Sequence, residues 1–365
     1  MKKVLFLLHI PPPVHGSSII GKTIVESNAV LSAFNCRFIN LIASESIADT
    51  GKVTVKKMIG FISIWFTLLH EIILFRPKLC YLALTTTGTA FYRDVTLIVL
   101  LRLFGIKRLY HLHNKGIKNA QKNPINKWLY SFVFKNANVI VLSELLYYDI
   151  DSFVTKQQLL VCANGIVDDD TDSVTVYPKD EKSDNVKLLF LSNLIESKGV
   201  LVLIEACSIL QKRACLFTCD FIGGVGDVSE IAFTDFVKQK NLSQTVSYLG
   251  TKYGNEKSEA FRQADIFVFP SFYPNECFPL VLLEAMNYGL PVISTNEGAI
   301  PAIVDEGVTG FIVPKNNPEV LADKIEELIK NKQLRKQMGD NGKLKFANNY
   351  TLSIFEKTLV DILHK

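Results

Sequence analysis

Short, unbroken apolar runs alternate with longer helix-periodic stretches along this chain, and the series runs through twice. The first series has its runs at residues 4–8, 37–41, 79–84, 108–112, 139–142 and 159–162. The second has them at residues 187–191, 216–222, 246–249, 266–269, 291–294 and 311–313. A strand that is apolar at every position is covered on both faces, the signature of a parallel sheet with helices on either side. In the second series helices are expected over residues 199–211, 227–240, 255–263, 280–287 and 318–331, with one or two more over 334–365. The pattern predicts two doubly wound α/β domains with a cleft between them. In such sheets ligands bind beyond the carboxyl ends of the strands.

Between the two series, residues 167–185 hold Asp168, Asp169, Asp170, Asp172, Asp180, Glu181 and Asp184 among Ser and Thr, which reads as a solvated acidic linker. The expected organisation is an N-terminal domain over 1–166, this linker over 167–185, and a C-terminal domain over 186–345. A final helix over 346–365 is placed to cross back to the N-terminal domain. Charge follows the same division. Residues 1–165 carry 19 Lys/Arg and 8 Asp/Glu, a balance of +11, so the remainder carries −7 of the net +4. Two halves of opposite charge point to different partners. A basic half suits anionic lipid, nucleic acid or a phosphorylated substrate.

Several classes are excluded on composition. The seven cysteines are scattered, with no CxxC pair and no zinc spacing, which fits a reduced cytoplasmic compartment. The apolar run after Met-Lys-Lys ends at His9 and three prolines without a small-residue cleavage site, so it reads as a buried first strand and not a signal peptide. Residues 58–69 form the longest strongly apolar stretch, shorter than the roughly 20 residues that span a bilayer. The basic and apolar stretch over residues 52–78, with Lys56, Lys57, Phe61, Trp65, Phe66, Phe75 and Arg76, leaves two readings open. One is a face that docks on an anionic membrane surface; the other is a core helix with charged ends.

The most informative segment runs from Pro270 to Val292, after the apolar run 266–269. Glu276 falls in a strand-to-helix loop, Glu284 falls on the helix that follows, and Gly289-Leu290-Pro291 stops that helix before the next strand. A loop feeding a helix start offers free backbone N–H groups and the positive end of the helix dipole, both suited to phosphate. A carboxylate one or two turns along is placed to accept hydrogen bonds from paired ribose hydroxyls.

This segment resembles the E-x7-E signature of the family 4 retaining glycosyltransferases, and the resemblance runs over nearly the whole chain. It implies the GT-B fold, two Rossmann-like doubly wound parallel-sheet domains facing across a cleft. It also implies transfer of a hexose-type sugar from a nucleoside-diphosphate sugar, UDP- or GDP-linked, with retention of configuration. Carried over to this sequence, Glu276 contacts the donor sugar, Glu284 binds the nucleotide ribose, and amides around Phe278, Leu280 and Val281 hold the diphosphate. The family usually has Gly after the Phe; here Pro279 offers no N–H, but it is at home at a first helical position.

The stretch from Leu191 to Gly199 resembles the family's strand end followed by Lys-Gly. Lys198 takes the place of the lysine that neutralises the leaving diphosphate, and Asn193 stands where an arginine is usual. The segments Phe221 to Gly226, Val246 to Gly250, Glu297 to Pro301 and Gly307 to Gly310 resemble further turns of the same domain. In the first half, Pro11 to Ser18 follows strand one; Gly16 permits close backbone approach, His15 replaces the first of a Gly pair, and Ser17 or Ser18 is the expected helix cap. His113, at the end of the run 108–112, matches a histidine that contacts the donor sugar. His111 alternates with it, while Ser143 and Asn164-Gly165 read as architectural.

The catalytic set expected from the sequence is therefore Glu276, Lys198 and His113. The donor-binding set is Gly16, Asn193, Lys198, Glu276, Phe278, Leu280, Val281 and Glu284. No metal and no further cofactor are expected, because no Asp-x-Asp motif lies near a strand end. The expected partners are the donor and a sugar or lipid-linked sugar acceptor of surface polysaccharide or glycolipid assembly. Nucleic acid is not expected. The expected place is the cytoplasm, with attachment to the inner face of the cell membrane if residues 52–78 dock there. A nucleotide-sugar epimerase or phosphorylase on the same fold, or a non-catalytic sugar-nucleotide-binding or membrane scaffold module, remain as alternatives.

Overall fold

The computed structural model describes residues 1–41, 55–168 and 185–365, with backbone alone for residues 55–59. The expected linker therefore lies outside the described residues except for 167, 168 and 185, as does Lys52 with the start of the basic stretch. The chain divides into two units. Unit 1 holds Met1–Gly165 and Leu352–Lys365; unit 2 holds Ile166–Thr351.

Unit 1 runs β1 (Lys3–Leu8), α1 (Gly16–Glu26), α2 (Asn28–Ala33), β2 (Asn35–Asn40), α3 (Val55–Leu74), β3 (Leu79–Leu84) and α4 (Gly88–Leu103). It continues through β4 (Lys107–Leu112), α5 (Ile117–Ala120), α6 (Pro124–Phe134), β5 (Asn138–Val141) and β6 (Leu159–Val161). The sheet order is β2-β1-β3-β4-β5-β6, every pair parallel. β3 is buried at every position, as a strand covered on both faces must be.

Unit 2 runs β7 (Val186–Leu191), α7 (Val200–Lys212), β8 (Phe217–Ile222), α8 (Glu230–Gln239), β9 (Val246–Tyr248), α9 (Gly254–Gln263) and β10 (Ile266–Phe269). It closes with α10 (Leu280–Asn287), β11 (Val292–Thr295), α11 (Ile300–Ile303), β12 (Gly310–Val313), α12 (Pro318–Lys330) and α13 (Lys332–Asn349). The last helix, α14 (Leu352–His364), belongs to unit 1 and packs on α2. The sheet order is β12-β11-β10-β7-β8-β9, again all parallel. This is the doubly wound order in which the chain leaves β7 toward β8 and β9, then returns to lay β10 on the other side of β7. The crevice beyond β7 and β10 is the topological switch point, where such sheets bind their ligands.

All twelve strands expected from the apolar runs are present, with ends shifted by at most two residues. Among the described residues no helix is long and apolar enough to cross a membrane.

Candidate active site

In unit 2 two loops meet at the switch point. The first leaves β7 and passes Asn193 and Lys198; the second leaves β10 and passes Ser271, Tyr273 and Glu276. They are tied by the amide of Phe272 donating to the Ser197 carbonyl at 2.8 Å. Gly199 sits between them at φ +91, and a Cβ there would run into the Pro270 carbonyl, so only glycine lets the loops close this far.

Lys198 and Glu276 face each other across this junction, Nζ to Oε2, as an ion pair. Glu276 is buried, 7% exposed as a whole residue. Ser271 Oγ donates to the same oxygen at 3.3 Å. The Lys198 ammonium also lies 4.6 Å from the Tyr273 ring centroid and 5.5 Å from that of Phe269, so its positive charge rests against two aromatic faces. Each ion is held by side chains at and beyond the end of β10 and partly shielded from water.

The next loop along braces Glu276 from behind. Thr295 at the end of β11 donates its hydroxyl to the Ser271 carbonyl, and the Ala299 amide donates to the Cys277 carbonyl at 2.9 Å. Gly298, at φ +56, presses so closely on the Glu276 carbonyl that a Cβ has no room. Glu297 is itself buried; it accepts from the Gly298 amide at 3.0 Å and pairs with Lys315 at 2.6 Å.

α10 starts at Leu280, with Pro279 as its N-cap and no side chain capping it. The helix starts where the sequence places it, so Pro279 stands one place before its first residue, with an extended ψ of 115, and its carbonyl receives the Leu282 amide at 3.2 Å. The amides of Leu280 and Val281 precede that first bond and point out of the helix start. Phe278 is buried and its ring meets Tyr350 edge-on at 5.8 Å, fixing the loop's exit into the helix. One turn along α10, Glu284 Oε1 lies 2.6 Å from the ammonium of Lys257 on α9.

Asn193 does more for the fold than its position suggested. Its Oδ1 accepts from the Gly224 amide at 3.1 Å, and the neighbouring Leu194 amide donates to the Gly224 carbonyl at 2.8 Å. Its side chain thus pins the glycine turn after β8 to the loop after β7.

The unit 1 residues gather at the carboxyl ends of their own strands. His15, and neither Ser17 nor Ser18, is the N-cap of α1: its Nδ1 accepts from the Ser18 amide at 3.3 Å, while Ser18 Oγ accepts from the His15 amide at 2.9 Å. Gly16 follows with open space about its Cα, so packing alone does not demand glycine there. His113 follows β4, its Nδ1 buried without a hydrogen-bond partner among the described residues. Burial, with His15 pushing the same way, drives its pKa down to about 3, so the ring is neutral. His111 is fully buried behind it, rings 4.1 Å apart, with its Nδ1 2.5 Å from the Tyr81 hydroxyl. That contact makes His111 a core residue. Ser143 caps the turn after β5 through Leu145, an architectural duty.

Sequence reading missed Ser271, Lys257 and Lys315 and gave Glu297 only as the start of a turn. Their partners lie between 5 and 27 residues away, with no spacing that marks them in advance.

Residues 176–345 match the family described as Glycosyl transferases group 1. Among curated relatives, the D-inositol 3-phosphate glycosyltransferase of Paenarthrobacter aurescens is 31% identical over 43% of this chain and 39% of its own length. The capsular polysaccharide biosynthesis glycosyltransferase CapM of Staphylococcus aureus is 30% identical over 48% of this chain and 45% of its own. The match thus spans less than half the length of either relative. Among solved structures, a glycosyltransferase from Rickettsia africae covers 99% of this chain and 97% of its own at TM-score 0.76 and 19% identity. Anabaena HepE, solved in complex with UDP-glucose, covers 100% of both chains at TM-score 0.73 and 17% identity. These likenesses establish the fold as GT-B.

Proposed function

For a GT-B chain that carries the Glycosyl transferases group 1 segment over residues 176–345, we propose that it is a retaining glycosyltransferase acting on a nucleoside-diphosphate sugar. The observation that carries this reading is the meeting of Lys198 and Glu276 at the switch point of the unit 2 sheet, beside the uncapped start of α10. In this reading the donor diphosphate lies on the Leu280 and Val281 amides and draws the Lys198 ammonium from Glu276. The carboxylate, still held by Ser271, is then left to the sugar hydroxyls. Glu284 anchors the ribose. His113, neutral and with a free ring nitrogen, orients the sugar.

The reaction breaks the bond from the anomeric carbon to the diphosphate oxygen through an oxocarbenium-like state. The acceptor hydroxyl attacks on the same face, and its proton passes to the departing phosphate oxygen. Lys198 and the α10 amides stabilise the charge that develops on that oxygen, which is the largest lever a preorganised site has. No divalent metal takes part. Relatives and neighbours support a hexosyl transfer in surface polysaccharide or glycolipid assembly. The HepE complexes support a UDP-sugar donor, with GDP-sugars as the second choice. The acceptor is a sugar or a lipid-linked sugar, and the protein works in the cytoplasm, at the inner face of the membrane where the acceptor is lipid-linked.

The test is a thermal-shift screen of UDP-, GDP- and ADP-sugars, followed by product analysis with and without chelator. Stabilisation by one donor, and an axial or equatorial product linkage that matches that donor, is expected with chelator present. Rapid conversion of the donor to an epimer with no acceptor added would sink the transferase reading.

A further inference from the structure

Lys198 is held by two kinds of group at once. Glu276 pairs with it as a carboxylate. Tyr273 and Phe269 meet it with ring faces, at 4.6 Å and 5.5 Å from ammonium to centroid. The two kinds act differently on a cation. A carboxylate neutralises it and competes with any other anion for it. An aromatic face attracts it through the ring quadrupole and leaves its charge whole. A lysine that has to meet a diphosphate gives up the first hold and can keep the second.

The two rings are not equivalent. Phe269 ends β10, is 1% exposed and packs on Phe190 with ring centroids 6.1 Å apart, so the sheet core sets its place. Tyr273 is half-buried in the loop beyond and lies nearer the ammonium. Its backbone is fixed at both ends. The Tyr273 amide donates to Ser271 Oγ at 3.3 Å, and its carbonyl accepts from the Glu276 amide at 2.9 Å. Just before it, the Phe272 amide is tied to the carbonyl of Ser197, the neighbour of Lys198. Just after it, Pro274 disfavours helical backbone at Tyr273. One residue therefore holds Glu276 through its carbonyl and faces Lys198 with its ring. The Lys198 side chain is 16% exposed, and a cation–π contact counts for more where the ammonium has lost most of its water.

We propose that Tyr273 is a positioning residue for the transfer: its ring keeps the Lys198 ammonium in place, still fully charged, when the ion pair with Glu276 opens. The proposal rests on the reading of Lys198 as the cation that meets the leaving diphosphate. The ring contact itself is read without donor, so the two fail separately.

Full-length protein made with carbon-13 lysine gives an ε-methylene cross-peak for Lys198, assigned by its loss in Lys198→Arg. The Tyr273 ring current should hold that peak upfield. Tyr273→Phe should keep it there, and Tyr273→Leu should move it downfield toward the other lysines. With donor and acceptor, kcat should stay within about twofold in Tyr273→Phe and fall by about threefold to thirtyfold in Tyr273→Leu, with KM moving less. Phenylalanines carrying one, two and three fluorines, placed at position 273, keep the ring's size and drain negative charge from its face, so kcat should fall stepwise along the series. A Lys198 peak that is not upfield in the unaltered protein, or that stays put in Tyr273→Leu, overturns the proposal. So does turnover that drops in Tyr273→Leu but is level across the fluorinated rings, because the ring then acts by filling space. An upfield peak in a protein that turns over no donor overturns the transferase reading, and the positioning role with it, while the contact stands.

Discussion

Lys257 on α9 holds its ammonium 2.6 Å from Oε1 of Glu284 on α10, so the carboxylate assigned to the ribose is positioned by a residue from the preceding helix. Both side chains are about a quarter exposed, at 27% and 24%, and the pair is screened accordingly. Lys257→Ala should therefore weaken UDP binding by about threefold to tenfold through loss of orientation, a modest effect for a part-exposed charged hydrogen bond. Glu284→Ala should weaken it more, by about tenfold to a hundredfold. Isothermal titration with UDP measures both; unchanged affinity in Glu284→Ala removes the ribose assignment.

Lys198 and Glu276 form a tighter and more buried pair, at 16% and 9% side-chain exposure. Lys198→Ala leaves a nearly buried carboxylate without its partner, which costs up to about 3–5 kcal/mol. Turnover should fall by roughly 10²–10³, the range seen when one preorganised stabiliser of developing charge is lost. Glu276→Gln keeps the shape and tests the charge alone. If steady-state turnover survives in both Lys198→Ala and Glu276→Ala, the site is elsewhere.

Gly298 is the brace that is easiest to break. Its φ of +56 and its approach to the Glu276 carbonyl leave no place for a methyl group. Gly298→Ala should cost at least about 1–3 kcal/mol in backbone strain and shift the Glu276 loop with it. A urea titration reads the first effect and turnover the second. A variant with wild-type stability and rate would show that the loop gives way freely.

Histidine burial makes the protein sensitive to acid. His113 is pushed down to about 3 by burial and then by His15. His9 and His111 are held well below the ordinary histidine value, again by burial first. In each case the unfolded chain takes the proton first. The stability these rings contribute is therefore fully present above about pH 6.5 and is lost as pH falls toward the folded values. Each contributes a slope of at most about 1.4 kcal/mol per pH unit in that window. Urea unfolding between about pH 6 and pH 4 should show His113→Asn with a slope shallower by nearly that amount. Activity near neutrality should show no titration limb from His113.

The central strands were legible because they are covered on both faces, which writes burial into the sequence as unbroken apolar runs. Leu79–Leu84 and Ile266–Phe269 were marked to the residue for that reason. Polar pairing is written nowhere so locally. Glu276 and Glu284 could be singled out from the loop and helix around them, but Lys257, Ser271 and Lys315 become partners only when the sheet folds. Capping was misjudged at α1, where a histidine does the work expected of a serine. Asn193 read as a substitute for a cation, while much of its duty is to hold the Gly224 turn.

The placement of α14 in unit 1 makes that unit discontinuous in the gene's order. Its final helix leaves the ribosome only after the whole of Ile166–Thr351 has been made. Until then Phe34, whose ring lies 4.7 Å from that of His364, lacks that neighbour on a nascent chain. Synthesis that stalls late thus leaves unit 1 without its last helix after every residue of unit 2 has been made.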